Sequence, residues 1–193
     1  MPKLGMEPIR RDALVKATIA EIGAAGSLDV TVARIAKRAG MSSALAHHYF
    51  GGKDQILVAA MRHILTLFGA EVRGALAMAD TPRARIDAIV RASFSPANFR
   101  TETIGAWLAF YVQAQTSPDA RRLLAIYRRR MRSNLLAGFR PLLADRAEIA
   151  AETVGALIDG VYIRQALRQG AMGRDDAVIL VNKCVTGLVG EGH

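Results

Sequence analysis

Apolar residues in this chain recur at intervals of three and four, in one stretch after another. Nowhere do they alternate in the two-residue rhythm of a strand bounded by hairpin signals. Ile56, Ala60, Ile64, Leu67 and Val72 form one such series. Leu123, Leu124, Tyr127, Met131, Leu135 and Leu142 form a second, and Val178, Val181, Val185 and Val189 fall within a third. Each series is a stripe along one face of an amphipathic helix. Start signals agree: Thr81-Pro82 and Ser117-Pro118-Asp119 each pair a capping hydroxyl with a proline in the first turn, where the missing N–H costs nothing. The chain is therefore expected to be all-α. Helices are predicted near 8–25, 32–39, 43–50, 53–79, 82–95, 101–116, 118–140, 147–169 and 175–189.

Of the 193 residues, 51% are hydrophobic and 22% charged, enough to build a core and too apolar for disorder. Aromatics at 6% weigh against an all-β architecture. The net charge of +9 points to an anionic partner such as nucleic acid. A single cysteine, Cys184, excludes an internal disulfide and is expected as a small buried hydrophobe in a reducing cytoplasm. The first eight residues lack a signal-like apolar core, and no run approaches the roughly 18 apolar residues of a membrane span. No membrane association is expected.

The informative stretch is 31–50. Thr31 can cap a short helix whose inner face is Ile35, Ala36 and Ala39. Gly40 can take the left-handed turn, Ser42 caps again, and a second helix of two turns follows. Two short helices cornered at a glycine form a helix-turn-helix, whose second helix enters the DNA major groove. The outward positions of that second helix are small or polar: Ser42, Ser43, Ala44, His47 and His48. Tyr49 offers a phenol at backbone height, and Lys53 stands at the next helix start, where free N–H groups suit a phosphate. Thr31, Ser42, Ser43, Ala44, His47, His48, Tyr49 and Lys53 are the candidate DNA contacts. His47-His48 could suggest a metal, but adjacent helical residues point about 100° apart and no acid or thiol completes a set, so no metal is expected.

Arg10-Arg11 with Leu14 and Ala17, then Gly26, Thr31, Ile35-Ala36, Ala39-Gly40-Met41-Ser42, Tyr49-Phe50, Lys53 and Leu57 resemble the DNA-binding domain of TetR-family repressors. The resemblance implies a DNA-binding domain over 8–68, a helical effector-binding and dimerisation domain over 69–193, and a homodimer. A closer likeness is carried by 11–25, 35–40, 48–50, 106–110, Arg129-Arg130, 133–135 and 156–160. It is to a choline-responsive branch of the family that controls choline uptake and glycine betaine biosynthesis genes. The chain departs from that branch twice. Residues 43–47 lack a central glycine, and Tyr111 stands where a second tryptophan is expected.

Five of the aromatics fall within 94–111, and Trp107 and Tyr111 share a helix face. A quaternary ammonium donates no hydrogen bonds and is best held by aromatic faces. Trp107, Phe110, Tyr111 and Phe99, assisted by Glu102 or Asp159, are the candidate cage for choline; the same stripe also reads as ordinary core. Gly160 inside an apolar helix suggests a close helix approach. A four-helix interface across two subunits is therefore expected from 152–168 and 175–189, with Val154, Leu157, Ile158, Val161, Tyr162, Val178, Val181 and Val185 at the contact. Arginines 121–132 are expected to be solvated or bonded to neighbouring helices. No catalytic motif or cofactor fingerprint is present, so neither an enzyme nor a cofactor is expected. The remaining alternatives are a related repressor sensing another cationic or apolar compound, and an architectural DNA-binding protein without a ligand.

Overall fold

The computed structural model describes residues 5–25, 30–167 and 172–190. Among them are nine α-helices, one 3-10 turn and no strand: α1 (Met6–Ala25), α2 (Val32–Arg38), α3 (Ser43–Phe50), α4 (Lys53–Ala77), α5 (Pro82–Ser93), α6 (Thr101–Thr116), α7 (Pro118–Leu143), the 3-10 turn Ala144–Arg146, α8 (Ala147–Ala166) and α9 (Arg174–Val189). Gly26 and the last residues of the eighth expected helix, 168–169, lie outside the described residues.

The caps read from the sequence are made. The hydroxyls of Thr31, Ser42, Thr81 and Ser117 accept from the backbone N–H groups of Arg34, Leu45, Ala84 and Ala120 at 3.1–3.3 Å. Several boundaries shift by one or two residues, among them the start of α1 and the ends of α4 and α5, and the end of α7 shifts by three. α7 was expected to stop before Pro141 and instead runs to Leu143. Proline removes one N–H in the last turn, while Leu143, which that turn carries, is buried. The helix then ends at Ala144, whose φ of +46° is the only positive value outside glycine among the described residues.

The helices cluster into two compact units. The first comprises residues up to Ile64 together with Thr101–Arg121. α6 thus packs with the N-terminal helices, although it falls in the 69–193 stretch expected to form the second domain. Leu14, Ile22, Ile35, Ala36, Ala46 and Ile56 are buried in this unit. α6 lies along α1 at a glycine crossing: a Cβ on Gly23 would sit 2.5 Å from Glu102 Cα, and Gly105 faces the same point. Gln113 of α6 donates from Nε2 to the Asp54 backbone oxygen at 3.3 Å, fastening α6 to the start of α4.

The second unit comprises Leu65–Arg100 and the residues from Arg122 onward. Its core includes Ile86, Ile89, Phe94, Leu135, Phe139, Ile158, Val181 and Val185. Arg132 bonds to Glu148 and Glu152 at 3.2 and 2.9 Å, while Arg122, Arg128, Arg129 and Arg130 are exposed. The arginine run therefore combines helix-to-helix bonds with a solvated face. Cys184 is half-buried, not buried. α4 is, by length and composition, long and apolar enough to cross a membrane, contrary to the expectation that no such segment exists. Its first half carries Ile56, Leu57, Val58, Ala60, Met61 and Ile64 into the protein's own packing.

Candidate nucleic-acid interface and effector residues

The corner between α2 and α3 is a Schellman turn. Gly40 takes φ +68°, its N–H bonds to Lys37 O at 3.1 Å, and the Met41 N–H reaches Ala36 O at 2.9 Å. Two carbonyls at the end of α2 are thereby satisfied, and α3 starts in a fixed direction. Ala46 is buried beneath α3, while Ala44, His47 and His48 form its exposed arc. Ser42 and Thr31 are exposed, with their hydroxyls engaged in capping; Ser43 is half-buried at the edge of the arc.

α1 braces the far end of α3. Arg11 lies over the rings of Tyr49 and Phe50, 5.5 and 5.1 Å from their centroids, and Arg10 Nη1 reaches the Tyr49 hydroxyl at 3.5 Å. Tyr49 is thus half-buried and tied to α1. Lys53 occupies the first position of α4, beside its unpaired N–H groups.

Sequence reasoning missed the group that locks α2 to α1. Glu21 is buried, 6% exposed. Its carboxylate accepts from Arg38 Nε, and Oε2 lies 3.0 Å from Arg34 Nη2 as an ion pair whose angle falls short of a hydrogen bond. The Arg38 hydrogen bond, set against the opposing effect of burial and reinforced by both positive charges, holds the Glu21 pKa below its ordinary value of 4.5. A spacing of 13 and 17 residues between helices carries no local signature, which is why the sequence did not announce it.

Replacing Glu21 with Gln is expected to lower stability by about 2 kcal/mol, since both guanidinium groups are half-exposed and can turn to water. The folded pKa lies below the unfolded one. The stabilisation is therefore complete above the unfolded value and lost as pH falls through the folded value. Thermal melts from neutral to acid pH should show the two proteins converging as Glu21 protonates. A constant gap across that range would remove Glu21 from this role.

The six effector candidates fall into both units. Trp107, Phe110, Tyr111 and Glu102 lie in the first, Phe99 and Asp159 in the second. Trp107 and Tyr111 sit 5.7 Å apart between ring centroids, and Trp107 meets Phe110 edge-on at 6.2 Å. Trp107 and Phe110 are buried at 5% and 2% exposure, and Glu102 supports the Gly23 crossing. In the second unit Phe99 belongs to a cluster with Phe94 and Tyr162 at 5.5 and 6.1 Å. Asp159 Oδ1 accepts from the Tyr127 hydroxyl at 3.3 Å, and Phe68 stands 6.1 Å from the Tyr127 ring. Tyr127 entered the sequence reading only as part of a helical stripe, and Phe68 did not enter it. The Tyr162 hydroxyl donates to the Ser93 carbonyl. Burial, with the Glu71 and Asp159 charges, pushes its pKa far above the ordinary tyrosine range, so it remains a donor.

The residues expected at a dimer contact are mostly covered within the subunit. Val154, Ile158, Val161, Tyr162, Val181 and Val185 are buried by their own chain, and Leu157 and Val178 are half-buried. These bulkier stripes pack inward. The opposite side of α8 presents Ile149, Thr153, Ala156, Ile163 and Leu167, and a Cβ on Gly160 would meet nothing within 4 Å among the described residues.

A capped, glycine-cornered helix pair with a small polar face, carried ahead of a helical body, defines a helix-turn-helix transcriptional regulator. Residues 14–60 match the model for bacterial regulatory proteins of the tetR family, and 82–190 match the C-terminal model for BetI-type transcriptional repressors. The HTH-type transcriptional regulator BetI of Brucella anthropi is 52% identical over 193 residues, covering 99% of this chain and all of that one. That of Rhizobium meliloti is 50% identical over 186 residues, covering 96% and 92%. A transcriptional regulator from Pseudomonas aeruginosa PAO1 superposes with a TM-score of 0.80 at 27% identity, over 96% and 92% of the two chains. One from Saccharomonospora viridis, solved in complex with choline, gives 0.78 at 22% identity over 91% and 94%. The chain belongs to the BetI-type repressors of the TetR family: it is a DNA-binding transcriptional repressor and not an enzyme.

Proposed function

We propose that the chain is a cytoplasmic homodimer that represses choline uptake and glycine betaine biosynthesis genes and leaves its operator when choline binds. The observation that carries the reading is the exposed arc of α3, which Gly40, Ser42 and the Arg10–Arg11 brace hold ready for a major groove. Residues 8–68 supply DNA binding and 69–193 effector binding and pairing. Thr31, Ser42, Ser43, His48, Tyr49 and Lys53 are assigned to phosphates and groove edges around Ala44 and His47.

Two groups have the chemistry to hold a quaternary ammonium. The Trp107–Tyr111 pair offers aromatic faces. Asp159 offers a carboxylate bonded to Tyr127, whose ring stands against Phe68. The choline complex of the S. viridis regulator and the BetI relatives support this ligand class. Release follows if choline prefers a body conformation in which the two reading heads no longer match the half-sites; a tenfold release needs about 1.4 kcal/mol of such preference.

Calorimetric titration tests the assignment. Choline is expected to bind the wild type, and whichever of Trp107→Ala and Asp159→Asn touches its seat to weaken it about tenfold or more. Wild-type affinity in both variants would remove these residues from the site. Release of operator by another amine and not by choline would favour the related repressor with a different effector.

A further inference from the structure

The geometry points to His47 as the residue that reads an exocyclic amino group in the operator, the N6 amine of adenine or the N4 amine of cytosine, through an Nε2 fixed as a hydrogen-bond acceptor. His47 lies on the exposed arc of α3, one turn beyond Ala44, whose methyl neither competes for a base edge nor bars the ring. Its Nδ1 is 3.0 Å from the backbone oxygen of Gly51. A carbonyl oxygen only accepts, so Nδ1 must carry the hydrogen. In the neutral imidazole that leaves a lone pair on Nε2.

Gly51 is built for this contact. It closes α3 with φ +83°, a conformation that side-chain-bearing residues adopt only with strain, and its N–H bonds back to His47 O at 2.7 Å. Residue 47 is thus tied to Gly51 through both backbone and ring, which limits the ring's freedom before DNA arrives. The two neighbouring hydroxyls do not compete: Ser42 is engaged with Leu45 N, and Ser43 stands at the edge of the arc. In the major groove, guanine N7 and O6 and thymine O4 are acceptors. Only adenine N6 and cytosine N4 present hydrogens to a fixed lone pair.

The inference rests on the DNA-reading role of α3. Its test pairs a protein change with a base change. Within the preferred operator, each adenine of the half-site is replaced in turn by purine and each cytosine by 2-pyrimidinone, which lack the amino group. For the wild type, one such position per half-site should cost about tenfold in affinity. His47→Ala, an exposed change in a helix, should lose a similar factor on the natural operator and nothing more on that analogue. Whether the sensitive position is a purine or a pyrimidine tells adenine from cytosine. Equal losses for both proteins at every position would overturn the assignment. So would a uniform weakening across sequences with a salt slope smaller by about one, the signature of a phosphate contact. A second readout needs no DNA: 15N NMR of the free protein should find the neutral His47 ring protonated at Nδ1, and protonation at Nε2 would contradict the proposal.

Discussion

A phenylalanine at position 160 is expected to leave each chain folded, to stop it pairing, and to weaken operator binding by roughly 100-fold or more. Among the described residues, nothing beyond its own helix backbone lies within 4 Å of a Cβ at Gly160, so a larger side chain meets no obstacle there in the isolated subunit. The surrounding stripe runs Ile149, Thr153, Ala156, Gly160, Ile163, Leu167, at steps of four and three. It has small residues at the centre and large apolar ones at both ends, with Ile149 66% and Leu167 53% exposed. Such a stripe suits a helix that meets another closely, and in the proposed homodimer that other helix belongs to the second subunit. A partner helix crossing at Gly160 leaves no room for a phenyl ring. A single subunit then holds only one half-site, and its affinity falls toward the non-specific range. Gly160→Ala separates folding from pairing, because alanine should stabilise the isolated helix by about 1 kcal/mol. Sedimentation and operator titration of the two variants check the argument. A dimer retained by Gly160→Phe would move the interface elsewhere.

Gly23→Val is expected to destabilise the first unit by about 3 kcal/mol, or roughly 6–12 °C in melting temperature. Its Cβ would stand 2.5 Å from Glu102 Cα, a backbone atom that cannot swing aside. α6 would have to lift from α1, loosening the buried Ala106, Ala109 and Phe110 and disturbing the Gln113 bond to Asp54. Gly105→Ala is the matched control. Its Cβ would find its nearest neighbour, Gly23 Cα, at 3.7 Å, an ordinary contact, so its melt should stay near the wild type. If the valine variant melted with the wild type, the crossing would be looser than described.

These two glycines also mark what a sequence conveys. The helix starts were legible because Thr31, Ser42, Thr81 and Ser117 are local signals that act within one turn. The overrun of α7 past Pro141 was not, because burial of Leu143 is decided by tertiary neighbours. The helix-turn-helix was legible as a pattern of sizes: small at Ala36 and Ala39, glycine at 40, hydroxyl at 42. Glu21, paired across 13 and 17 residues, was invisible for the opposite reason. α8 shows the limit most clearly. Its sequence is apolar on two sides, and periodicity identifies both stripes without saying which one the chain covers itself. The bulkier Val154–Ile158–Val161 side turned out to be the inward one. The aromatic stripe of α6 had the same ambiguity. Trp107 and Phe110 are buried in the unit that holds the reading head, while the carboxylate–phenol pair Asp159–Tyr127 emerged only from packing of the second unit.

In the proposed homodimer α3 enters DNA twice, once per subunit. Footprinting on the DNA upstream of its own gene, with and without choline, is the decisive measurement. Two protected half-sites of inverted sequence, centred about 34 Å or a multiple of that apart and released by choline, are the predicted result. Protection without two-fold symmetry, or none that Ala44→Asp on the exposed arc abolishes, would contradict it.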